Sequence, residues 1–341
     1  MHCPDGRVTL WRAELQPGAS IDRYGPVCRK RGILRHAEAE PYPRPNIVEG
    51  SRLARWTGIF AWSRIVTYKT LMVHLQLGQS NAGLLRIAGD LAARFNAGVT
   101  GIAACQPIRI LYDEGYLSGD MMARDHDERE TEIKEAEAEF RRTLQTRVSN
   151  LEWRSTITSG MLSDYLVREA RSADLFIIGV DRNASLFDTS RHVGAGDLVM
   201  QSGRPVLIVP AALDDLTPER VLVGWKDTRE SRRAAFDALP LLKRATHVAV
   251  VEIAAKEDLA SVRERLNDVV GWLARHGVVS ASLAWPSSGD DATQLNAIAQ
   301  EQAADVIVAG AYGHSRLREW ALGGVTRELL LRADRCTLLS H

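Results

Sequence analysis

The chain has 341 residues, with 43 basic side chains balanced by 43 acidic ones. That length suffices for two domains, each able to bury its own core. The even charge argues against a nucleic-acid or membrane-surface partner, both of which select a basic excess, and no apolar run approaches the roughly 20 residues that cross a bilayer.

The first 65 residues do not match the rest. They hold six of the twelve prolines, three of the eight tryptophans and ten arginines, with no sustained period of a strand or a helix. An apolar signal-peptide core is missing, and interspersed acidic residues argue against a transit peptide. Residues 1–65 are therefore expected to be disordered or a non-native upstream extension. The native product is expected to begin at or near Val66, valine being what a GTG start codon spells.

After Val66 the chain repeats itself. Ala173-Asp-Leu-Phe-Ile-Ile-Gly179 returns 131 positions later as Ala304-Asp-Val-Ile-Val-Ala-Gly310, and Arg204-Pro-Val-Leu-Ile-Val-Pro210 returns at the same offset as Arg335-Cys-Thr-Leu-Leu-Ser-His341. The opening runs Leu71–Gln76 and Val221–Lys226 are offset by 150, so the first copy carries a longer connection, expected in Gln106–His126. A repeat of this kind indicates duplication.

In the first copy strands are expected near 70–77, 99–105, 150–157, 174–180 and 205–209, with helices at 81–95, 127–147, 161–172 and 196–202. The second of these helices carries Ile133, Phe140 and Leu144 on one stripe. Glu130/Lys134 and Glu137/Arg141 on its other faces read as a solvated surface. In the second copy strands are expected near 220–225, 247–253, 278–284, 305–309 and 336–340, and helices near 229–243, 256–275, 291–302 and 324–332. Gly98 and Gly277 follow helix ends, where a left-handed residue is wanted. Alternating helices and continuous apolar strands predict parallel sheets covered on both faces. The expected domains are 66–211 and 220–341, joined by the short polar segment Ala211–Glu219, so that the two pack together.

Cys3, Cys28, Cys105 and Cys336 are far apart and lack metal-ligand spacing. Cys105 and Cys336 fall in strand-like runs, which fits buried thiols in a reducing cytoplasm. His74 and His247, also in strand-like runs, read as core histidines. His314 and His341 read as solvated or capping. The chain has no nucleophile elbow with Ser-His-Asp order and no His-Glu-x-x-His, so an enzyme is not expected.

The most suggestive stretch begins at Gly310, at the end of an apolar strand. In open parallel sheets ligands bind outside the carboxyl ends of the strands. Gly310 and Gly313 permit a tight turn and a close backbone approach. Gly323 and Gly324 precede the helix Val325–Arg332, whose free N–H groups suit an anion. His314, Arg316 and Arg318 add positive charge at the rim. Neither a Walker loop nor a Gly-x-Gly-x-x-Gly turn is present. From spacing alone, turn and cap glycines and a phosphate cradle both stay open.

The pattern Gly310-x2-Gly313-x9-Gly323, lying before the last helix and strand, resembles the universal stress protein family, as does the final Thr337-Leu-Leu-Ser-His341. The resemblance covers about residues 68 to 341, as a tandem member, and Gly194–Pro210 is similar to the first domain of bacterial tandem members. It implies two doubly wound α/β domains, each a five-stranded parallel sheet of order 3-2-1-4-5, packed as a pseudo-twofold pair largely through their last edge strands. It also implies a stress-response role.

Members that bind ATP resemble Gly-x2-Gly-x9-Gly-Ser/Thr, with an Asp at the end of the first strand. Here Gly324 takes the hydroxyl position, with Thr326 two residues on, and Lys226 takes the Asp position, with Asp227 one residue later. The resemblance therefore implies a candidate nucleotide site formed by Lys226, Gly310, Gly313, His314, Gly323, Gly324, Val325 and Thr326, with ATP and Mg²⁺ as its ligand. The lost side-chain hydrogen bond to a charged group is worth about 1.5–3 kcal/mol, or about ten- to a hundredfold in affinity. Two readings stay open: weak adenine-nucleotide binding, or a non-binding module that acts through protein partners, with a homodimer as a further option. The first copy keeps Gly179, but Asp181, Arg182 and Asn183 follow it and Gln76 stands at the strand end, so no phosphate site is expected there.

Overall fold

A computed structural model describes residues 67–107, 119–180, 193–311 and 335–341, all within one compact unit. The upstream stretch 1–65, the expected start at Val66 and the expected helix at 324–332 lie outside these residues.

The first half supplies β1 (Thr70–His74), β2 (Gly98–Cys105), β3 (Leu151–Ile157), β4 (Leu175–Val180) and β5 (Val206–Pro210). The second supplies β6 (Arg220–Gly224), β7 (His247–Ala254), β8 (Ala281–Pro286), β9 (Val306–Gly310) and β10 (Cys336–Ser340). The inner runs are rich in β-branched and aliphatic residues and are buried on both faces, as parallel strands require, whereas the edge strands β3 and β8 are only partly buried. They form one ten-stranded sheet of order β3-β2-β1-β4-β5-β10-β9-β6-β7-β8. Each half has the order 3-2-1-4-5 and is parallel throughout, as the sequence resemblance implies. The halves meet where β5 and β10 pair antiparallel, with Leu207 opposite Leu338.

Helices cover both faces. On one face lie α1 (Ala82–Phe95), α2 (Gly119–Leu144), α5 (Arg229–Asp237), the short α6 (Leu239–Leu242) and α7 (Leu259–Arg275). On the other lie α3 (Leu162–Glu169), α4 (Ala195–Gln201) and α8 (Asp291–Glu301). α1 buries Leu84, Leu85, Ile87, Ala88, Leu91 and Phe95, a stripe with helical spacing. On α2, Phe140 and Leu144 are buried and Ile133 packs beside them.

Several local expectations change. α2 begins at Gly119, well before 127. Its first turns are held by short-range charge pairs, such as Asp125–Arg129 at 3.2 Å and His126–Glu130 at 3.3 Å, which leave no apolar period to read. Glu130–Lys134 and Glu137–Arg141 do lie on an accessible face, but Asp125 and Arg129 are buried. Gly98 does not cap α1. Asn96 takes the left-handed conformation at φ 50°, which asparagine tolerates, and Gly98 opens β2, where a Cβ would stand 3.0 Å from the Asn150 side chain. Gly277, at φ 81°, does take the left-handed conformation after α7. The helix expected at 229–243 breaks at Ala238, because Pro240 at the start of α6 has no N–H to give to α5. His247 is exposed rather than core, whereas His74 is buried.

Candidate functional site

The candidate site lies at the carboxyl ends of β6 and β9. Past Gly224 the chain runs through Trp225, Lys226 and Asp227 into α5. Thr228 caps α5, its hydroxyl accepting from the Ser231 N–H at 3.3 Å. The Lys226 N–H donates to the Ser231 hydroxyl at 3.2 Å, which folds the turn back onto the helix start.

Gly310 ends β9 directly beneath this helix start. A Cβ there would lie 2.5 Å from the Ser231 nitrogen and 2.6 Å from the Glu230 carbonyl carbon. Only glycine lets α5 abut the strand end so closely, and that packing by itself accounts for this residue. Next to it the Ala311 N–H donates to the Ser340 carbonyl at 2.8 Å, and His341 donates from Nδ1 to the Ala311 carbonyl at 3.0 Å. His341 thus caps the end of the sheet.

Lys226 reaches across the strand ends to the start of α8, where its Nζ lies 3.1 Å from Asp291 Oδ2. Asp291 also accepts from the Ser287 hydroxyl at 3.0 Å. An incoming phosphate would compete with this carboxylate for the Lys226 charge. Asp227 pairs with Arg232 at 2.9 Å, both well exposed. Glu230 is buried against Gly310 and pairs with Arg229. Burial raises the Glu230 carboxyl, but hydrogen bonds from Arg229, from its own backbone and from Thr228 outweigh it and hold the group below the usual carboxylate range.

Of the eight candidate residues, Lys226 and Gly310 are brought to this one end of the sheet. Gly313, His314, Gly323, Gly324, Val325 and Thr326 lie outside the described residues, as do the rim residues Arg316 and Arg318. Sequence reasoning missed Asp291, Glu230 and Ser231. Asp290-Asp291-Ala-Thr before a helical run carried a legible capping signal, and Asp290 does cap α8, accepting from the Ala292 N–H at 3.1 Å. The contact from Asp291 to Lys226 spans the sheet and had no local signature.

The first half is built differently at the equivalent place. The Gln76 N–H donates to Asn81 Oδ1 at 2.9 Å, and Gln76 Nε2 donates to the Gly179 carbonyl at 3.3 Å. Glu139 of α2 takes the Asn81 N–H at 3.1 Å and the Ser80 hydroxyl at 3.1 Å. A carboxylate of the chain itself thus sits where the start of α1 would attract an anion. Asp181, Arg182 and Asn183 lie outside the described residues.

Among the described residues no group of three His, Cys, Asp or Glu side chains is placed to hold a metal, and no helix is long and apolar enough to cross a membrane. No protein-family model matches the sequence, and no curated protein matches it. Solved structures do. A universal stress protein from Archaeoglobus fulgidus superposes with a TM-score of 0.61 at 14% identity, over 80% of this chain and 97% of that one. A candidate universal stress protein from Pseudomonas aeruginosa gives 0.53 at 14% identity, over 80% and 93%. A further P. aeruginosa protein, of unknown function, gives 0.51 at 13% identity, over 80% and 92%. This chain has the fold of the universal stress proteins.

Proposed function

We propose that the chain is a stress-response protein of the universal stress type, acting by binding rather than catalysis, in the cytoplasm. Its domains are 66–211 and 220–341, and the second binds an adenine nucleotide with Mg²⁺ weakly. The observation that carries this reading is the position of Gly310, the first glycine of the series, at the carboxyl end of β9 and beside the start of α5, where open parallel sheets take ligands. In this reading Gly313, Gly323 and Gly324 give backbone donors to the phosphates, with Val325 and Thr326 at the helix start and His314 at the rim. The magnesium supplies countercharge to the phosphates.

A second reading, a module that binds protein partners and no nucleotide, is favoured by the Lys226–Asp291 pair. That pair engages the Lys226 charge at the end of β6, and Gly324 offers no hydroxyl.

Isothermal calorimetry of ATP and Mg²⁺ with the full chain, beside Gly313→Val, separates the two. Micromolar to low-millimolar binding that the variant loses is the expected outcome. Heat equal to buffer dilution at millimolar ATP would leave the partner-binding module.

A further inference from the structure

The opposite end of the second half holds a cleft that the nucleotide reading does not use. It opens at the amino ends of β6, β7 and β8, below the last turn of α8, and has a volume of about 310 Å³. A strand rises roughly 3.3 Å per residue, so the five-residue β6 puts this cleft about 15 Å from Gly310. Its size matches a small metabolite, and it combines apolar walls with a few converging polar groups, as ligand sites do.

Three features give it a chemical character. The Arg220 guanidinium lies at the lip, anchored by its Nε on the Gln302 carbonyl at 2.8 Å. Among the described residues no carboxylate forms an ion pair with it. The nearby Asp305 carboxylate accepts the backbone N–H groups of Glu219 and Arg220 at 3.0 and 2.8 Å. The Ser280 hydroxyl is buried and has no hydrogen-bond partner, a costly state that a ligand oxygen would relieve. At the mouth Val279 is 92% exposed, far more than its hydrophobic side chain favours. It stands beside Ala281 and the exposed His247, whose Nδ1 lies 3.0 Å from the Thr246 hydroxyl.

We propose that this cleft binds a small monocarboxylate with a hydrocarbon body. One guanidinium answers one carboxylate in a bidentate fork, and the Ser280 hydroxyl donates to the same group. Val279 and Ala281 cover the hydrocarbon. A phosphate would bring more charge than a single arginine balances and would leave the apolar wall unused.

The probes are hexanoate and its neutral counterpart 1-hexanol, titrated into the full chain by calorimetry and by amide NMR shifts. Saturable binding of one hexanoate per chain is expected, with shifts centred on Thr246–Ala249 and Val279–Ala281. Hexanol should bind at least about tenfold more weakly, and Arg220→Gln should weaken hexanoate by about ten- to a hundredfold. Val279→Trp, at an exposed position that folding tolerates, should fill the mouth and abolish binding. Thermal melts of both variants check that they fold. Hexanoate binding that survives Val279→Trp, equal affinities for hexanoate and hexanol, or inorganic phosphate binding in place of hexanoate would each overturn the assignment. Gly313→Val leaves this cleft untouched, so hexanoate binding should be the same in that variant whether or not ATP binds.

Discussion

Cys336 sits in the last strand with its side chain wholly removed from solvent, and that burial, with Asp305 a smaller influence, pushes its thiol up to about 12. An exposed thiol titrates near 9.0. Above that pH the unfolded chain gives up a proton that the folded chain keeps. The thiol's contribution to stability is therefore whole below about pH 9 and drains away as the pH rises toward about 12, by up to about 4 kcal/mol. Tyr68 works in the same direction. Burial, and then Asp237 and Asp174, raise its hydroxyl well above the ordinary value, and that hydroxyl donates to the Asp237 carbonyl at 2.7 Å. Denaturant melts should show stability falling steeply between about pH 9 and 11, and Cys336→Ala should make that slope shallower without removing the Tyr68 part. An identical slope in both proteins would show that the thiol does not titrate in this range. The burial of Cys336 and Cys105 was legible in the sequence, because each lies in an apolar run. That His247 is exposed was not, because its run is equally apolar and only the open amino end of β7 decides it.

At the scale of the elements, the duplication explains a pair of aspartates. Asp174 opens the approach to β4 and accepts the N–H groups of Lys69 and Thr70 at 2.7 and 3.0 Å. Asp305 does the same before β9 for Glu219 and Arg220. Each carboxylate ties the start of its half's fourth strand to the start of the first, fixing where the neighbouring parallel strands begin. Hydrogen bonds to a charged group are worth about 1.5–3 kcal/mol when sheltered, and these are partly exposed. Asp174→Ala and Asp305→Ala should each cost about 1–3 kcal/mol in denaturant melts, with Asn at either position recovering part of it. A loss below the error of the melt at both positions would reduce the aspartates to solvated loop residues. The repeat put both residues on matching positions in the sequence, but the groups they bind lie some 105 and 86 residues upstream, beyond any local pattern. All ten strands were legible in type: the inner ones because parallel strands buried on both faces announce themselves as apolar runs, and the partly exposed edge strands β3 and β8 from their place in the strand–helix alternation. The start of α2 was not, because charge pairs rather than an apolar stripe hold it. At the candidate site, the sequence found the strand ends that carry Lys226 and Gly310. It did not reveal that Asp291 engages the lysine, or that α5 crowds the glycine.

Across the whole molecule the question is whether two duplicated halves fold as one body. Among the described residues, three kinds of contact stand out between them. The antiparallel seam sets Leu207 against Leu338, both fully buried. The Tyr68 hydroxyl crosses from the first half to α5, and the Arg244 guanidinium lies over the Phe95 ring, 5.1 Å from its centre. One continuous apolar core runs through residues of both halves on the face covered by α1, α2, α5 and α7. The seam also removes two strand edges that would otherwise invite pairing with other chains, leaving β3 and β8 at the outside. β3 carries Glu152 and Arg154 there, and charge blunts an edge. With the seam inside a shared core, opening either half exposes apolar surface of the other, so the two should unfold in one cooperative step. Leu338→Ala should then cost about 2–5 kcal/mol, and the loss should be felt far from the substitution. Native-state hydrogen exchange of β1 amides, which lie in the other half, should fall by the same free energy as that of β6 amides. Protection that drops in β6 and β9 but stays unchanged in β1 would mean that the halves open separately, with the seam as a docking surface rather than part of one core.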